Sequence, residues 1–190
     1  MIRIIAGTAR GLTLRVPRGM QVRPTGARVR TSLFSILADR LEGARVVDLF
    51  AGCGALGLEA LSRGAAFCCF VETAREALAA LEDNLARARL GDRAQVLRQD
   101  ALTVAAKLAE QPPADLVLID PPYPFLHERL DRFLALLAEL ADGPALAPDS
   151  LIVLQHDTRT ALPSAVGPLR AADRRDYGGT TLTFLKRANV

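Results

Sequence analysis

From Arg28 to Leu41 the apolar residues Val29, Leu33, Phe34, Ile36, Leu37 and Leu41 recur at helical spacing. That stripe predicts an amphipathic helix with arginines at its start. Ahead of it, residues 2–6 and 12–16 read as two short strands around Gly11. They are followed by a loop whose Pro17, Gly19, Pro24 and Gly26 argue against helix. After it the pattern changes to alternation of strand and helix. Apolar strands are expected at 44–50, 67–72, 94–100 and 114–120, and helices at 55–63, 75–90, 102–110 and 128–140. A strand at 151–155 and a closing hairpin of 169–177 and 180–186 around Gly178-Gly179 complete the chain. Segments such as Leu116-Val117-Leu118-Ile119 are apolar at every position, which suits a parallel sheet covered on both faces. The fold class is therefore α/β and doubly wound. Residues 1–43 form an N-terminal hairpin-and-helix extension, packed on a main domain of 44–190.

Composition narrows the picture. No apolar run approaches the ~20 residues of a membrane span. The opening Met1-Ile2-Arg3-Ile4-Ile5 lacks the long apolar region of a secretory signal, so a cytoplasmic protein is expected. Cys53, Cys68 and Cys69 form no Cys-x-x-Cys pair, and His127 and His156 complete no zinc spacing. Reduced thiols and no metal are expected, with Cys68 and Cys69 in a buried strand and both histidines at helix or strand surfaces.

Net charge is only +3, yet residues 1–30 hold seven arginines and no acid, so the rest of the chain is net acidic. The abundance of arginine over lysine fits a GC-rich genome; the missing acids do not follow from that. A basic end is what a polyanion-binding surface requires, because neutralised phosphates release counterions. Nucleic acid is the expected partner, with Arg10, Arg23, Arg28 and Arg30 as phosphate-gripping residues.

The first strand of the main domain runs into Asp48-Leu49-Phe50-Ala51-Gly52-Cys53-Gly54, and Gly52-x-Gly54-x-x-Gly57 matches the dinucleotide fingerprint. Glu72, at the end of the next strand, is placed to accept ribose hydroxyl protons. Both NAD and S-adenosylmethionine carry that ribose. Asp48 tips the choice, since a carboxylate at the first strand end suits the ammonium of a methionine moiety and repels a pyrophosphate. Asp100, at the third strand end, is placed to accept the adenine amino proton, with Ala101 offering a backbone donor beside the ring. The expected cofactor is S-adenosylmethionine, held by Asp48, Phe50, Ala51, Gly52, Gly54, Glu72, Asp100 and Ala101.

Asp120-Pro121-Pro122-Tyr123 follows the fourth strand. The exocyclic amine of a nucleobase is a poor nucleophile, because its lone pair is delocalised into the ring. The Asp120 carboxylate and the Pro121 carbonyl can accept its hydrogen bonds and aim the lone pair, while consecutive prolines stiffen the loop. Tyr123 can stack on the base, which must be unstacked or already exposed. The two loops together point to methyl transfer to a base. Alternatives are an adenine-N6 or cytosine-N4 methyltransferase, an RNA-binding assembly factor without activity, and an NAD-dependent oxidoreductase.

At these residues the chain resembles the RsmD family of bacterial ribosomal RNA methyltransferases. The likeness rests on Arg23-Pro24-Thr25, Arg28-Val29-Arg30, Leu33-Phe34, Asp48 to Ala65, Asp120 to Tyr123 and Tyr177-Gly178-Gly179-Thr180. The resemblance implies a class I methyltransferase with a seven-stranded, mostly parallel, Rossmann-like sheet. It also implies transfer to the exocyclic N2 of one guanine in 16S ribosomal RNA, within the small ribosomal subunit or an assembly intermediate; a monomer is expected. Cys53 stands where Ser is usual, Gly26-Ala27 where an Asp precedes the arginine, Thr31 where Glu is common, and Leu12 where a basic residue often follows Arg10-Gly11.

Overall fold

The computed structural model describes residues 1–17, 24–122 and 124–188. Arg23 and Tyr123 therefore lie outside the described residues. A two-stranded ribbon, β1 (Ile2–Arg3) with β2 (Thr13–Leu14), precedes helix α1 (Pro24–Ile36). The helix thus takes in Pro24 and Gly26, which the sequence reading placed in a loop. Proline at the first helical position loses only an N–H that would be unpaired there, and an interior glycine costs only about 1 kcal/mol. A Cβ built on Gly26 meets nothing within 4 Å. Gly26→Ala is expected to raise stability by about 0.5–1 kcal/mol in chemical denaturation.

The main sheet combines β3 (Arg45–Leu49), β4 (Phe67–Val71), β5 (Ala94–Leu97), β6 (Ala114–Ile119), β7 (Leu146–Asp157), β8 (Ala165–Val166), β9 (Leu169–Tyr177) and β10 (Thr180–Arg187). Their order is β5-β4-β3-β6-β7-β10-β9-β8. The first five in that order pair in parallel, and the last three join antiparallel. Seven of these are the strands expected from the sequence; the eighth is the two-residue β8. Strand β7 begins at Leu146, before the expected 151, because Ala114 pairs with Leu146 ahead of a register shift.

Helices α2 (Ala55–Ser62), α3 (Arg75–Ala88), α4 (Ala105–Ala109) and α5 (Phe125–Asp142) fill the crossovers. Period-two alternation divides the strands between two cores: Val46 and Phe70 face one, Val47, Cys69 and Val71 the other. The first core is closed by α2, α3 and the N-terminal residues Ile4, Val29, Leu33 and Phe34, the second by α4 and α5.

Buried polar groups tie the N-terminal segment to the main sheet. Glu59, fully buried on α2, accepts the N–H groups of Ile5 at 2.7 Å and Ala6 at 3.1 Å and pairs with Arg63 Nε at 2.7 Å. A Cβ on Gly7, whose φ is +81°, would stand 1.7 Å from the Ser62 carbonyl oxygen. Close approach, more than turn chemistry, demands glycine there. Asn84 on α3 completes the attachment. Its Oδ1 accepts the Arg15 N–H at 2.8 Å, and its Nδ2 donates to the carbonyls of Arg15 at 2.9 Å and Cys53 at 3.0 Å. The Ser32 hydroxyl meets the Tyr177 phenol, so α1 also touches the C-terminal hairpin.

Candidate active site

Parallel pairing brings four acids to one edge of the sheet. Leu49 stands opposite Val71 and Ile119, and Val71 opposite Leu97, so β5, β4, β3 and β6 leave the sheet side by side. Asp100 and Glu72 follow the ends of β5 and β4. Asp48 is the penultimate residue of β3, and Asp120 follows β6 directly. Neighbouring strands are ~4.8 Å apart, so the glycine loop after β3 and the Asp-Pro-Pro loop after β6 are adjacent.

The glycine loop is shaped by sterics and by backbone donors. Phe50 leaves β3 with a φ of +60°, a costly conformation for a bulky residue, and its ring packs edge-on against Phe125 at 4.7 Å between centroids. Gly52 and Gly54 follow at φ +56° and +84°. A Cβ on Gly57 would lie 2.3 Å from Phe70 and 2.6 Å from Cys68 Sγ, so the third glycine lets α2 sit close on β4. Its N–H donates to Asp48 Oδ2 at 2.8 Å.

Asp48 is 1% exposed. Burial pushes its carboxyl up to about 7; the Gly57 N–H opposes the shift, and the nearby Asp120 and Glu72 carboxylates reinforce it. Glu72 is half-buried and works inside the protein as well as facing the site. Its Oε2 accepts the Gly52 N–H at 2.8 Å, and its Oε1 accepts those of Thr73 and Ala74, each at 2.8 Å. A carboxylate has about four acceptor sites, so it can fix the loop and still take a ligand hydroxyl. Asp100 Oδ1 caps the short turn Ala101–Thr103 by accepting the Leu102 N–H at 2.9 Å, beside buried Ala101.

This clustered negative charge fits a cationic ligand and opposes a pyrophosphate. Carboxylates at these strand ends can pair with a cation and accept from hydroxyl or amino groups. Among the described residues, no group of three or more His, Cys, Asp or Glu side chains is arranged to hold a metal.

On the facing loop Asp120 is half-buried, and its Oδ1 accepts Gln155 Nε2 at 2.9 Å. Pro121 is buried and Pro122 exposed, with the Pro122 carbonyl accepting the Phe125 N–H at 3.0 Å. Gln155 escaped the sequence reading as a site residue. Only strand order brings it beside Asp120, from 35 residues away.

His156 also departs from expectation. Instead of a surface position it is 4% exposed, since β7 is flanked by β6 and β10 and covered on both faces. Its Nδ1 donates to the Asp157 carbonyl at 2.8 Å, which leaves Nε2 to accept the Thr183 hydroxyl at 2.8 Å. Burial lowers its pKa, as a neutral ring requires. His127 is exposed on α5. Cys53, Cys68 and Cys69 are buried free thiols, all pushed up by burial.

Among the arginines, Arg10 and Arg28 are exposed. Arg30 is not on the surface expected of a phosphate-gripping residue. It is 8% exposed, lies on the buried stripe of α1 next to Val29, and donates from Nη2 to the Arg3 carbonyl. Burial lowers its pKa, with Glu59 opposing. The missed feature was helical phase, which puts positions 29, 30, 33 and 34 on one face.

A family model described as "Conserved hypothetical protein 95" matches residues 2–186. Ribosomal RNA small subunit methyltransferase D of Escherichia coli K12 is 39% identical, with 86% of this chain and 78% of that protein covered. The chain belongs to the RsmD family. The solved structure of Escherichia coli yhhF matches at 36% identity and a TM-score of 0.82, covering 98% of this chain and 97% of that one. A hypothetical protein of Thermus thermophilus, also of solved structure, matches at 33% identity and a TM-score of 0.80, covering 98% and 99%. The architecture of this RsmD-family chain is that of class I methyltransferases, α/β with a mostly parallel sheet. Among the described residues, no helix is long and apolar enough to cross a membrane.

Proposed function

We propose that this chain transfers a methyl group from S-adenosylmethionine to the exocyclic N2 of a guanine in 16S ribosomal RNA. In this reading it acts in the cytoplasm, as a monomer, on the small ribosomal subunit or an assembly intermediate. The observation that carries the proposal is the parallel register of β3 and β6, which sets the glycine loop beside Asp120-Pro121-Pro122 on one sheet edge. The name and identity of the Escherichia coli relative support ribosomal RNA as substrate.

When bound, the cofactor supplies an electrophilic methyl group on a sulfonium. Asp48, Glu72, Asp100 and Ala101, with the loop of Phe50, Ala51, Gly52 and Gly54, hold it at the strand ends. Asp120 and the Pro121 carbonyl accept the hydrogen bonds of the guanine amine, drawing its nitrogen toward tetrahedral geometry with the lone pair facing the methyl carbon. With that nitrogen so aimed, the methyl group would pass to it and the S–C electron pair would remain on sulfur. The amine becomes acidic and gives its proton to Asp120 or to water. Pro122 stiffens the loop, and Tyr123 stacks on the base. Arg10, Arg23 and Arg28 bind phosphate, whereas buried Arg30 ties α1 to the Arg3 carbonyl.

Unmodified small subunits incubated with methyl-labelled cofactor are expected to yield labelled N2-methylguanosine on nucleoside mass analysis, and equal labelling of naked 16S RNA would show that no assembled particle is needed. N6-methyladenosine or N4-methylcytidine would assign a different base. RNA binding without any methylated product would leave an assembly factor.

A further inference from the structure

We propose that Gln155 is a positioning residue that holds the Asp120 carboxylate in its accepting orientation, an inference that rests on the methyl-transfer reading above. The last parallel pair of β6 and β7 is Ile119 with Leu154. Asp120 and Gln155 are the next residues out on the two strands, and Gln155 Nε2 reaches Asp120 Oδ1 at 2.9 Å. Their strands differ in what happens next. The chain leaves the sheet at Asp120 for Pro121-Pro122, whereas Gln155 is still inside β7 and also pairs with Leu182 on β10. A carboxylate on the last residue before a loop is thereby tied to a strand fixed on both sides.

The surroundings explain why such a tie is needed. Asp48 from β3 and Glu72 beyond β4 bring negative charge to the same edge. His156 and Asp157, the latter paired with Arg159 at 2.8 Å, follow Gln155 on β7, and with Pro121, Pro122, Leu126 and Thr160 they line a small cavity. Like charges disfavour a carboxylate and turn it away, while a neutral amide donor anchors it. A lysine or arginine would anchor it more strongly but would weaken it as an acceptor for the amine. Glutamine fixes the geometry and leaves the carboxylate basic.

The test uses the full chain with Gln155→Leu, which keeps the volume and removes the donor, and Gln155→Glu. For Gln155→Leu, kcat is expected to fall about 10- to 30-fold with KM for the cofactor within about twofold. Carbon-13 NMR titration of the Asp120 carboxyl in the cofactor-free protein is expected to move to higher pH, because a donor to the ionised form is lost. Gln155→Glu restores a donor only while the pair shares a proton, so its activity should fall as pH rises through the upper macroscopic pKa of that pair. A residue that merely supported β7 would lower thermal stability without altering either pH response. Wild-type kcat together with an unmoved Asp120 titration in Gln155→Leu would overturn the proposal. Full transfer by Asp120→Ala would instead remove the methyl-transfer role of Asp120, while the titration in unliganded protein would still report whether Gln155 holds its carboxylate.

Discussion

Asp120→Ala is expected to lower kcat for methyl transfer by about 10²- to 10³-fold, the scale seen when one preorganised charge-stabilising group is removed. The Kd for S-adenosylmethionine should stay within about threefold, the effect of losing one screened charge beyond the cofactor's own contacts. The split follows from position. Asp120 opens the facing loop after β6, while Glu72 binds the Gly52 N–H and Asp48 binds that of Gly57 on the other side of the edge. Asp120 is half-buried and anchored by the neutral Gln155 amide, so alanine at 120 strands no charge at that anchor. Isothermal titration with the cofactor, alongside single-turnover transfer to small subunits, separates the two quantities.

Asp48→Asn is expected to stabilise the cofactor-free protein at pH 8 and to weaken cofactor binding. The folded carboxyl titrates near 7, chiefly because it is desolvated, against an ordinary value of 3.8. A raised folded pKa means that the folded state holds the proton longer. The resulting stability is fully present below pH ~4 and is lost as pH rises through ~7, a span of roughly 4 kcal/mol for a shift of this size. Asparagine keeps an oxygen to accept the Gly57 N–H and carries no charge, so it removes that loss. Its NH₂ group needs accommodation, and the expected gain at pH 8 is therefore about 2–3 kcal/mol by urea denaturation, vanishing near pH 4. Cofactor affinity should fall about tenfold or more, because a cationic ligand pulls the Asp48 proton off and gains the charge interaction. A variant less stable than wild type at pH 8 would mean that the Asp48 charge is compensated in the free protein. Wild-type protein should also bind cofactor more tightly as pH rises from 6 to 8.

How much of this was legible in the sequence varied by element. The strands leading to Glu72 and Asp120 were readable because runs such as Phe67–Val71 and 116–119 are apolar at every position, and the polar residue that follows marks the exit. The starts of two later elements were not. The first half of β7 contains Pro148, Asp149 and Ser150, and two of these are exposed, so its composition resembles a loop. Helix α5 starts at Phe125 and not at 128 because its first turn is set off by non-helical Arg129, which interrupts the helical phase. Gln155 and Asn84 were invisible for another reason. Their roles depend on partners 35 and 69 residues away, which only strand order and helix packing bring together.

The most direct measurement is a structure with S-adenosylhomocysteine, the product that retains the sulfur. The account predicts the ribose at Glu72, the adenine beside Asp100 and Ala101, and the sulfur between the glycine loop and Asp120, with space for an amine nitrogen against Asp120 and the Pro121 carbonyl. A sulfur directed away from Asp120, or a ligand bound at another edge of the sheet, would contradict it.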